Sequence, residues 1–130
     1  MNEQKPTIMV IEDEDLLTRS ILAKLEKSGF SVFSRPSGEE SLKALEEGLV
    51  KPDLIWLDYY LRGKMNGIDF LEKIQQNKAF ADIPVISVSN TATQAKVQRL
   101  IELGVKKHFM KAEYLLKEII EFIWSTLRKK

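Results

Sequence analysis

Short apolar runs alternate along this chain with longer segments in which apolar residues recur every three or four positions. The runs have the length and continuity of buried strands, whereas the segments between them have the spacing of helices with one apolar face. The predicted strands are 8–11, 30–34, 53–58, 84–88 and 105–110. The predicted helices are 15–28, 37–48, one beginning near 66, one ending near 104, and one from about 113 to 127.

Residues that commonly begin or end helices support these boundaries. Ser37 and Glu40 have the spacing of a capping box, and Asn66 is a favourable N-cap for the third helix. Glycines, which adopt a left-handed backbone easily, lie at the ends of three of the predicted helices, at positions 29, 48 and 104. The alternation of strands and helices predicts a doubly wound α/β fold, in which right-handed crossovers place helices on both faces of a five-stranded parallel sheet.

Length and charge limit the classes of function. The 130 residues fall near the commonest domain size, so we expect a single domain spanning 1–130 with an ordered core of about 6–127. Twenty basic and nineteen acidic residues give no net field that favours nucleic acid or an anionic membrane. Cysteine is absent, which excludes thiol chemistry, and no apolar stretch reaches membrane-spanning length. We therefore expect a soluble cytoplasmic protein with no nucleic-acid or membrane partner.

Carboxylates follow two of the predicted strands. Glu12 and Asp13 come directly after the first strand, and Asp58 closes the third. In an open parallel sheet the ligand crevice lies beyond the carboxyl ends of the strands, so these side chains should converge at one edge. Converging carboxylates attract a small hard cation, and Mg²⁺ is usually held by one or two carboxylates with waters and a phosphate oxygen. We expect a Mg²⁺ site beside Asp58. Among the neighbouring aromatic residues, Trp56 is predicted to lie in the core, and Tyr59 and Tyr60 at the rim of the site.

A hydroxyl and an ammonium group are predicted at the same edge. Ser89 lies at the end of the fourth strand, and Lys111 ends the fifth. With the carboxylates they suit phosphoryl transfer, in which Asp58 is the nucleophile and Mg²⁺ and Lys111 stabilise the transferring group. Ser89 would donate a hydrogen bond to that group. The sequence contains no glycine-rich phosphate loop, so a nucleotide site is not expected.

These residues, in this order and on these elements, resemble the receiver domain of response regulators, the phosphoacceptor module of two-component and phosphorelay signalling. The resemblance covers nearly the whole chain and implies the flavodoxin-like strand order 2-1-3-4-5. It implies that Asp58 is the phosphoacceptor, Ser89 the switch hydroxyl and Lys111 the phosphate-binding lysine. Mg²⁺ is the implied cofactor, and its implied ligands are Glu12, Asp13, Asp58 and the backbone carbonyl of Tyr60.

Four positions depart from the usual receiver pattern. Arg62 stands where proline is common, and the loop around it is one residue longer. Asn90 replaces a small residue after the switch hydroxyl, where it would crowd the phosphate pocket or hydrogen-bond to it. Ala112 replaces a cis proline after Lys111, so we expect a trans bond, or a strained cis bond that costs about 3 kcal/mol. His108 replaces tyrosine or phenylalanine, and is either a packing residue or a conformational switch.

The resemblance also implies partners. A histidine kinase or phosphotransfer protein would dock near the first helix, where Leu16 lies off the apolar stripe, and would pass its phosphoryl group to Asp58. The surface formed by helix four, strand five and helix five would then bind a downstream protein or a second copy of this chain. Three large side chains lie off the core stripe of helix five, and they indicate either such an interface or aromatics that wrap the sheet edge: Leu115, Phe122 and Trp124.

Two other classes remain open at this point. One is a pseudo-receiver, a binding module that keeps the fold without phosphorylation. The other is a small phosphatase with an aspartate nucleophile, but enzymes of the haloacid dehalogenase family carry a cap domain and a second aspartate where this chain has Tyr60. The favoured interpretation is a signalling receiver and not a turnover enzyme, either as a stand-alone protein or as an excised domain.

Overall fold

A five-stranded parallel sheet with helices on both faces forms this protein. The computed structural model describes residues 5–61, 63–90, 93–111 and 114–128. The strands are β1 (Thr7–Ile11), β2 (Ser31–Arg35), β3 (Leu54–Asp58), β4 (Val85–Ser89) and β5 (Lys107–Met110). The helices are α1 (Asp15–Lys27), α2 (Gly38–Glu46), α3 (Gly67–Gln75), α4 (Gln94–Glu102) and α5 (Leu116–Arg128). The strand order β2-β1-β3-β4-β5, parallel throughout, confirms the predicted doubly wound fold and the order that the resemblance implies.

The register of the strands places their carboxyl ends side by side. Ile11 of β1 pairs with Leu57 of β3, so the residue after β1 and the last residue of β3 occupy neighbouring positions. Asp58 is level with Val88, one residue before the end of β4. Strands β3 and β4 are buried at every position, which explains why their sequences are continuous apolar runs and not alternating ones.

Two apolar cores lie on opposite faces of the sheet, because successive strand residues point to opposite sides. One face of the strands packs against α2, α3 and α4, through buried residues such as Leu45, Leu71 and Leu100. The other face packs against α1 and α5, through residues such as Ile21 and Ile123. Trp56 lies in this second core at 1 % exposure, as predicted.

The helix ends show where local sequence decides the structure. Asn66 forms a complete capping box with Asp69 at the start of α3, and Ser37 Oγ accepts the Glu40 amide at 3.1 Å. The second bond of the predicted Ser37 box is different, because the Ser37 hydroxyl itself donates to the Glu40 carboxylate at 3.0 Å. Helix α5 begins at Leu116 and not near 113. No helix in the described ranges has the length and apolar content needed to cross a bilayer.

The aromatic side chains of α5 pack inside the domain. Trp124 stacks on Phe30 with ring centroids 4.4 Å apart, and its indole N–H donates to the Ser28 carbonyl. Phe122 meets the edge of Phe109 at 5.5 Å. For these two residues the structure therefore favours the wrapping alternative over an exposed interface, whereas Leu115 is 70 % exposed.

Candidate functional site

Three charged side chains from different strands meet at the carboxyl edge of the sheet. Glu12 follows β1, Asp58 ends β3 and Lys111 follows β5. The Lys111 ammonium lies 3.2 Å from Glu12 Oε2 and 3.2 Å from Asp58 Oδ2. Both carboxylates are buried, at 3 % and 5 % exposure. The convergence predicted from the strand ends is therefore present for these three residues.

This cluster contains two carboxyl groups but only one ammonium group. Burial raises the pKa of Glu12 to about 8, helped by the hydrogen bond that its protonated form donates to Asp58 and by the negative charge of Asp58, although Lys111 opposes the rise. Burial lowers the pKa of Lys111, but the charges of Asp58 and Glu12 and their hydrogen bonds outweigh it, so that this pKa lies above its ordinary value. One ammonium thus holds two buried carboxyl groups together. Such a cluster favours the uptake of a further positive charge, either a proton or a cation.

The backbone around Asp58 is fixed by its own hydrogen bonds. The Tyr60 amide donates to Asp58 Oδ1 at 2.9 Å, and the Gly67 amide donates to the Tyr59 carbonyl at 2.9 Å. A Cβ on Gly67 would lie only 3.0 Å from Tyr59 Cα and 3.2 Å from the Asp58 carbonyl oxygen, so the start of α3 approaches this loop as closely as glycine allows. Tyr59 is 6 % exposed and belongs to the core on the α2, α3 and α4 face, with the Lys96 ammonium 4.9 Å from its ring centroid. The prediction that Tyr59 lies at the rim is wrong, while Tyr60 is 45 % exposed.

The donor set at this edge has the chemistry of a hard-cation site. Carboxylate oxygens come from Glu12 and Asp58, and Asp13 lies partly exposed beside Glu12. Across the part of the chain that the structure describes, no three acidic or histidine side chains form a ready-made metal cage. Mg²⁺ does not need one, because it usually keeps several waters and binds through one or two carboxylates. The oxygen donors at this edge are of the type that Mg²⁺ prefers. In this structure the Lys111 ammonium lies between the two buried carboxylates.

A second polar cluster lies between β4 and β5. His108 Nδ1 is 2.7 Å from Ser87 Oγ, and His108 Nε2 is 3.3 Å from Ser89 Oγ. Both serines are completely buried, and Ser87 is the register partner of His108. Burial lowers the pKa of His108, partly opposed by the charge of Asp58. A neutral imidazole has one donor and one acceptor nitrogen, so one serine donates to the ring and the other accepts from it.

The structure thus places His108 inward, with a hydroxyl on each nitrogen. Sequence reasoning assigned no role to Ser87, because its position opposite His108 depends on the register of β4 against β5. The Lys111 amide donates to the Ser89 carbonyl at 2.8 Å, which connects this cluster to the lysine. Asn90 is exposed. Arg62, Ala112 and the Lys111–Ala112 bond lie outside the described residues.

Comparison with known proteins identifies the family. The sequence model described as the response regulator receiver domain matches residues 8–122. The alkaline phosphatase synthesis transcriptional regulatory protein PhoP of Bacillus subtilis is 33 % identical over 106 residues, which cover 80 % of this chain and 41 % of PhoP. The two-component response regulator ARR9 of Arabidopsis thaliana is 29 % identical over 119 residues, covering 76 % of this chain and 50 % of ARR9. The chain spans about half the length of such curated relatives.

Solved structures of response regulators have the same fold as this chain. The Mn(2+)-bound form of response regulator Rcp1 has 25 % identity and a TM-score of 0.78, covering 91 % of this chain and 88 % of that one. A CheY-like receiver domain protein from Methanospirillum hungatei has a TM-score of 0.86 over 97 % of this chain and 96 % of its own; at 21 % identity it shows the shared fold. This chain belongs to the response regulator receiver domain family of two-component signalling.

Proposed function

We propose that Asp58 accepts a phosphoryl group from the phosphohistidine of a kinase or phosphotransfer protein. The observation that carries this proposal is the buried contact of Lys111 with Asp58 and Glu12 at the sheet edge. Family membership implies kinase or phosphotransfer partners in general. Residues 1–130 would form one receiver domain, acting in the cytoplasm without nucleic-acid or membrane partners.

The transfer would be a displacement at phosphorus. A carboxylate oxygen of Asp58 forms a bond to phosphorus, the bond from phosphorus to the imidazole nitrogen of the donor breaks, and that nitrogen keeps the electron pair and takes up a proton from solvent. Lys111, whose pKa is raised, stays charged and would turn from the carboxylates towards the phosphoryl oxygens. The hydrogen bond from the Tyr60 amide holds Asp58 in place for attack. The protein thus contributes position and charge, and is not proposed to be a turnover enzyme.

Mg²⁺ is part of this proposal as the cofactor. It would be held by Glu12, Asp13, Asp58 and the Tyr60 carbonyl, and it would supply positive charge to the phosphoryl oxygens. Three points support it: the carboxylate donor set, the general Mg²⁺ binding of receiver domains, and the Mn(2+)-bound form of the related Rcp1. Glu12 must be ionised to act as a ligand, so cation binding would oppose the protonation that its pKa of about 8 favours.

Ser89 and His108 would form the switch. When Ser89 turns its hydroxyl towards the phosphoryl group, it gives up the contact with His108 Nε2, which at 3.3 Å is the weaker of the two. The imidazole then keeps only Ser87 as a partner and its packing can change. This change would bias the surface formed by α4, β5 and α5 towards a binding-competent state.

Exposed apolar side chains support the two proposed docking regions. Leu16, at the start of α1 and near the Asp58 edge, is 75 % exposed and would contact the phosphoryl donor. Ile101 of α4 is 44 % exposed, and it would contribute to the surface that binds a downstream protein or a second copy of the chain.

Intact-mass analysis after incubation with acetyl phosphate and Mg²⁺ tests the proposal. The wild-type chain should gain the mass of one phosphoryl group, and Asp58→Asn should gain none while keeping its circular dichroism spectrum. Asp82→Asn, which changes an exposed aspartate away from the site, is the matched control and should label like wild type. An unlabelled but folded wild-type chain would favour the pseudo-receiver alternative.

A further inference from the structure

A cleft of about 160 Å³ opens between α1 and α5, on the face of the sheet that does not carry Leu71 and Leu100. Its apolar walls and floor come from two helices and two strands: Leu17, Ile21, Leu116, Ile119, Trp56 and Val88. The volume is close to that of an apolar cavity that holds a single benzene ring. The cleft therefore suits a molecule of one ring and a small substituent.

The lining of this cleft contains a buried donor without an acceptor. Trp56 is 1 % exposed, and among the described residues no atom accepts a hydrogen bond from its indole Nε1. Buried polar groups in native proteins are rarely left unpaired, because the loss of water is then uncompensated. Trp124 shows the ordinary arrangement, since its Nε1 donates to the Ser28 carbonyl at 3.1 Å. Trp56 thus offers a hydrogen bond that the protein does not use.

The charge in the lining of the cleft decides between a neutral and an anionic ligand. Lys111 belongs to the lining, but its ammonium already contacts Glu12 and Asp58 at 3.2 Å each. A ligand carboxylate placed there would lie beside two buried carboxyl groups and would compete with them for one cation. A neutral acceptor avoids this repulsion and still accepts the indole N–H.

We propose that the cleft binds a small neutral molecule with one apolar ring and one hydrogen-bond acceptor, which accepts from Trp56. The indole nitrogen itself is fully buried, so the proposal requires the side chains that line the cleft to move when the ligand binds; Leu17 and Leu116 in that lining are partly exposed. Because Lys111 belongs to the cleft and contacts Asp58, the bound molecule would lie beside the site described above. Binding itself does not depend on phosphoryl transfer.

Two probe ligands of similar size test the proposal, acetophenone with a carbonyl oxygen and isopropylbenzene without one. The full chain is labelled with ¹⁵N, and its two indole resonances are assigned with Trp56→Phe and Trp124→Phe. Acetophenone should shift the Trp56 indole resonance and leave that of Trp124 in place. Isopropylbenzene should bind roughly fivefold more weakly, the usual effect of losing one hydrogen bond.

The phenylalanine variant provides the second comparison. Trp56→Phe keeps an aromatic ring in the core but removes the donor, so its affinity for acetophenone should fall to that for isopropylbenzene. The comparison of the two ligands on the wild-type chain stands even if this variant is poorly folded. A Trp56 resonance that does not move at saturating acetophenone, or equal wild-type affinities for the two ligands, would overturn the proposal.

Discussion

Replacing Ser87 by alanine should destabilise the fold, because it removes the shorter of the two hydrogen bonds to the His108 imidazole. Ser87 is completely buried and its Oγ lies 2.7 Å from Nδ1, so the variant leaves that nitrogen without its partner. Losing one such buried bond costs about 1–2 kcal/mol in unfolding free energy. The bond from Ser89 to Nε2 is longer, at 3.3 Å, so Ser89→Ala should cost less, roughly 0.5 kcal/mol.

A double-mutant cycle separates this bond from the general effect of truncating a core residue. His108→Phe keeps a ring at the position but removes both nitrogens, so the Ser87 hydroxyl has nothing to bond there. Ser87→Ala should then cost less in the His108→Phe background, with an interaction energy of about 1 kcal/mol between the two sites. Urea unfolding followed by circular dichroism measures each corner of the cycle. The wild-type to Ser87→Ala step should also lower the Tm by roughly 3–8 °C.

The result that would refute this reasoning is additivity. If Ser87→Ala costs the same with histidine or phenylalanine at 108, to within about 0.3 kcal/mol, then the hydroxyl and the imidazole are not coupled. His108 would in that case be a packing residue whose ring nitrogens contribute nothing to its inward position, and the proposed switch would lose its structural basis.

Three further predictions rest on other features of the site. Asp13→Ala should weaken Mg²⁺ binding and slow acetyl phosphate labelling together, since it removes a proposed anionic ligand. If the Mg²⁺ titration, followed by tryptophan fluorescence, is unchanged in this variant, Asp13 is not a ligand. Asp15→Ala, which replaces an exposed aspartate, is the control. Because burial lowers the pKa of His108 below 6.5, the unfolded chain binds this proton more readily, so the contribution of His108 to stability is full above pH 6.5 and falls as the pH drops below it. The stability difference between wild type and His108→Phe, measured by urea unfolding on either side of pH 6.5, should therefore shrink or reverse at the lower pH, and a pH-independent difference would contradict the burial of a neutral imidazole. Gly67→Ala should lower the free energy of unfolding by about 1–3 kcal/mol, because the added Cβ would press on the backbone of Tyr59 and Asp58. The Cβ of Gly38→Ala would meet the flexible side chain of Met65, so this variant should lose less stability. Equal losses of stability in the two variants would refute the close approach at Gly67.

Much of the fold follows from local sequence. The continuous apolar runs of β3 and β4 identify buried central strands, and a carboxylate at the end of such a strand must lie at the carboxyl edge of a parallel sheet. This is why Glu12, Asp58 and Lys111 were predicted to meet although Lys111 is 99 and 53 residues away from its two partners.

The placement of other side chains depends on contacts between residues far apart in the sequence, which the local pattern of apolar and polar residues does not reveal. Trp124 lies off the apolar stripe of α5, but its ring stacks on Phe30. Its indole N–H donates to the carbonyl of Ser28, which lies 96 residues earlier in the chain. Tyr59 belongs to the core on the α2, α3 and α4 face, and the Lys96 ammonium lies 4.9 Å from its ring centroid, contacts that a rim assignment from sequence could not foresee. The orientation of His108 depends on the register of β4 against β5, which places Ser87 opposite it.

The most direct test of the central claim is to identify the residue that carries the phosphoryl group. After labelling with acetyl phosphate and Mg²⁺, borohydride reduction converts an aspartyl phosphate to homoserine, and peptide mass spectrometry locates the converted residue. The predicted result is a single homoserine at position 58. Homoserine at another aspartate, or none in a chain that has gained the phosphoryl mass, would contradict the assignment of Asp58 as the phosphoacceptor.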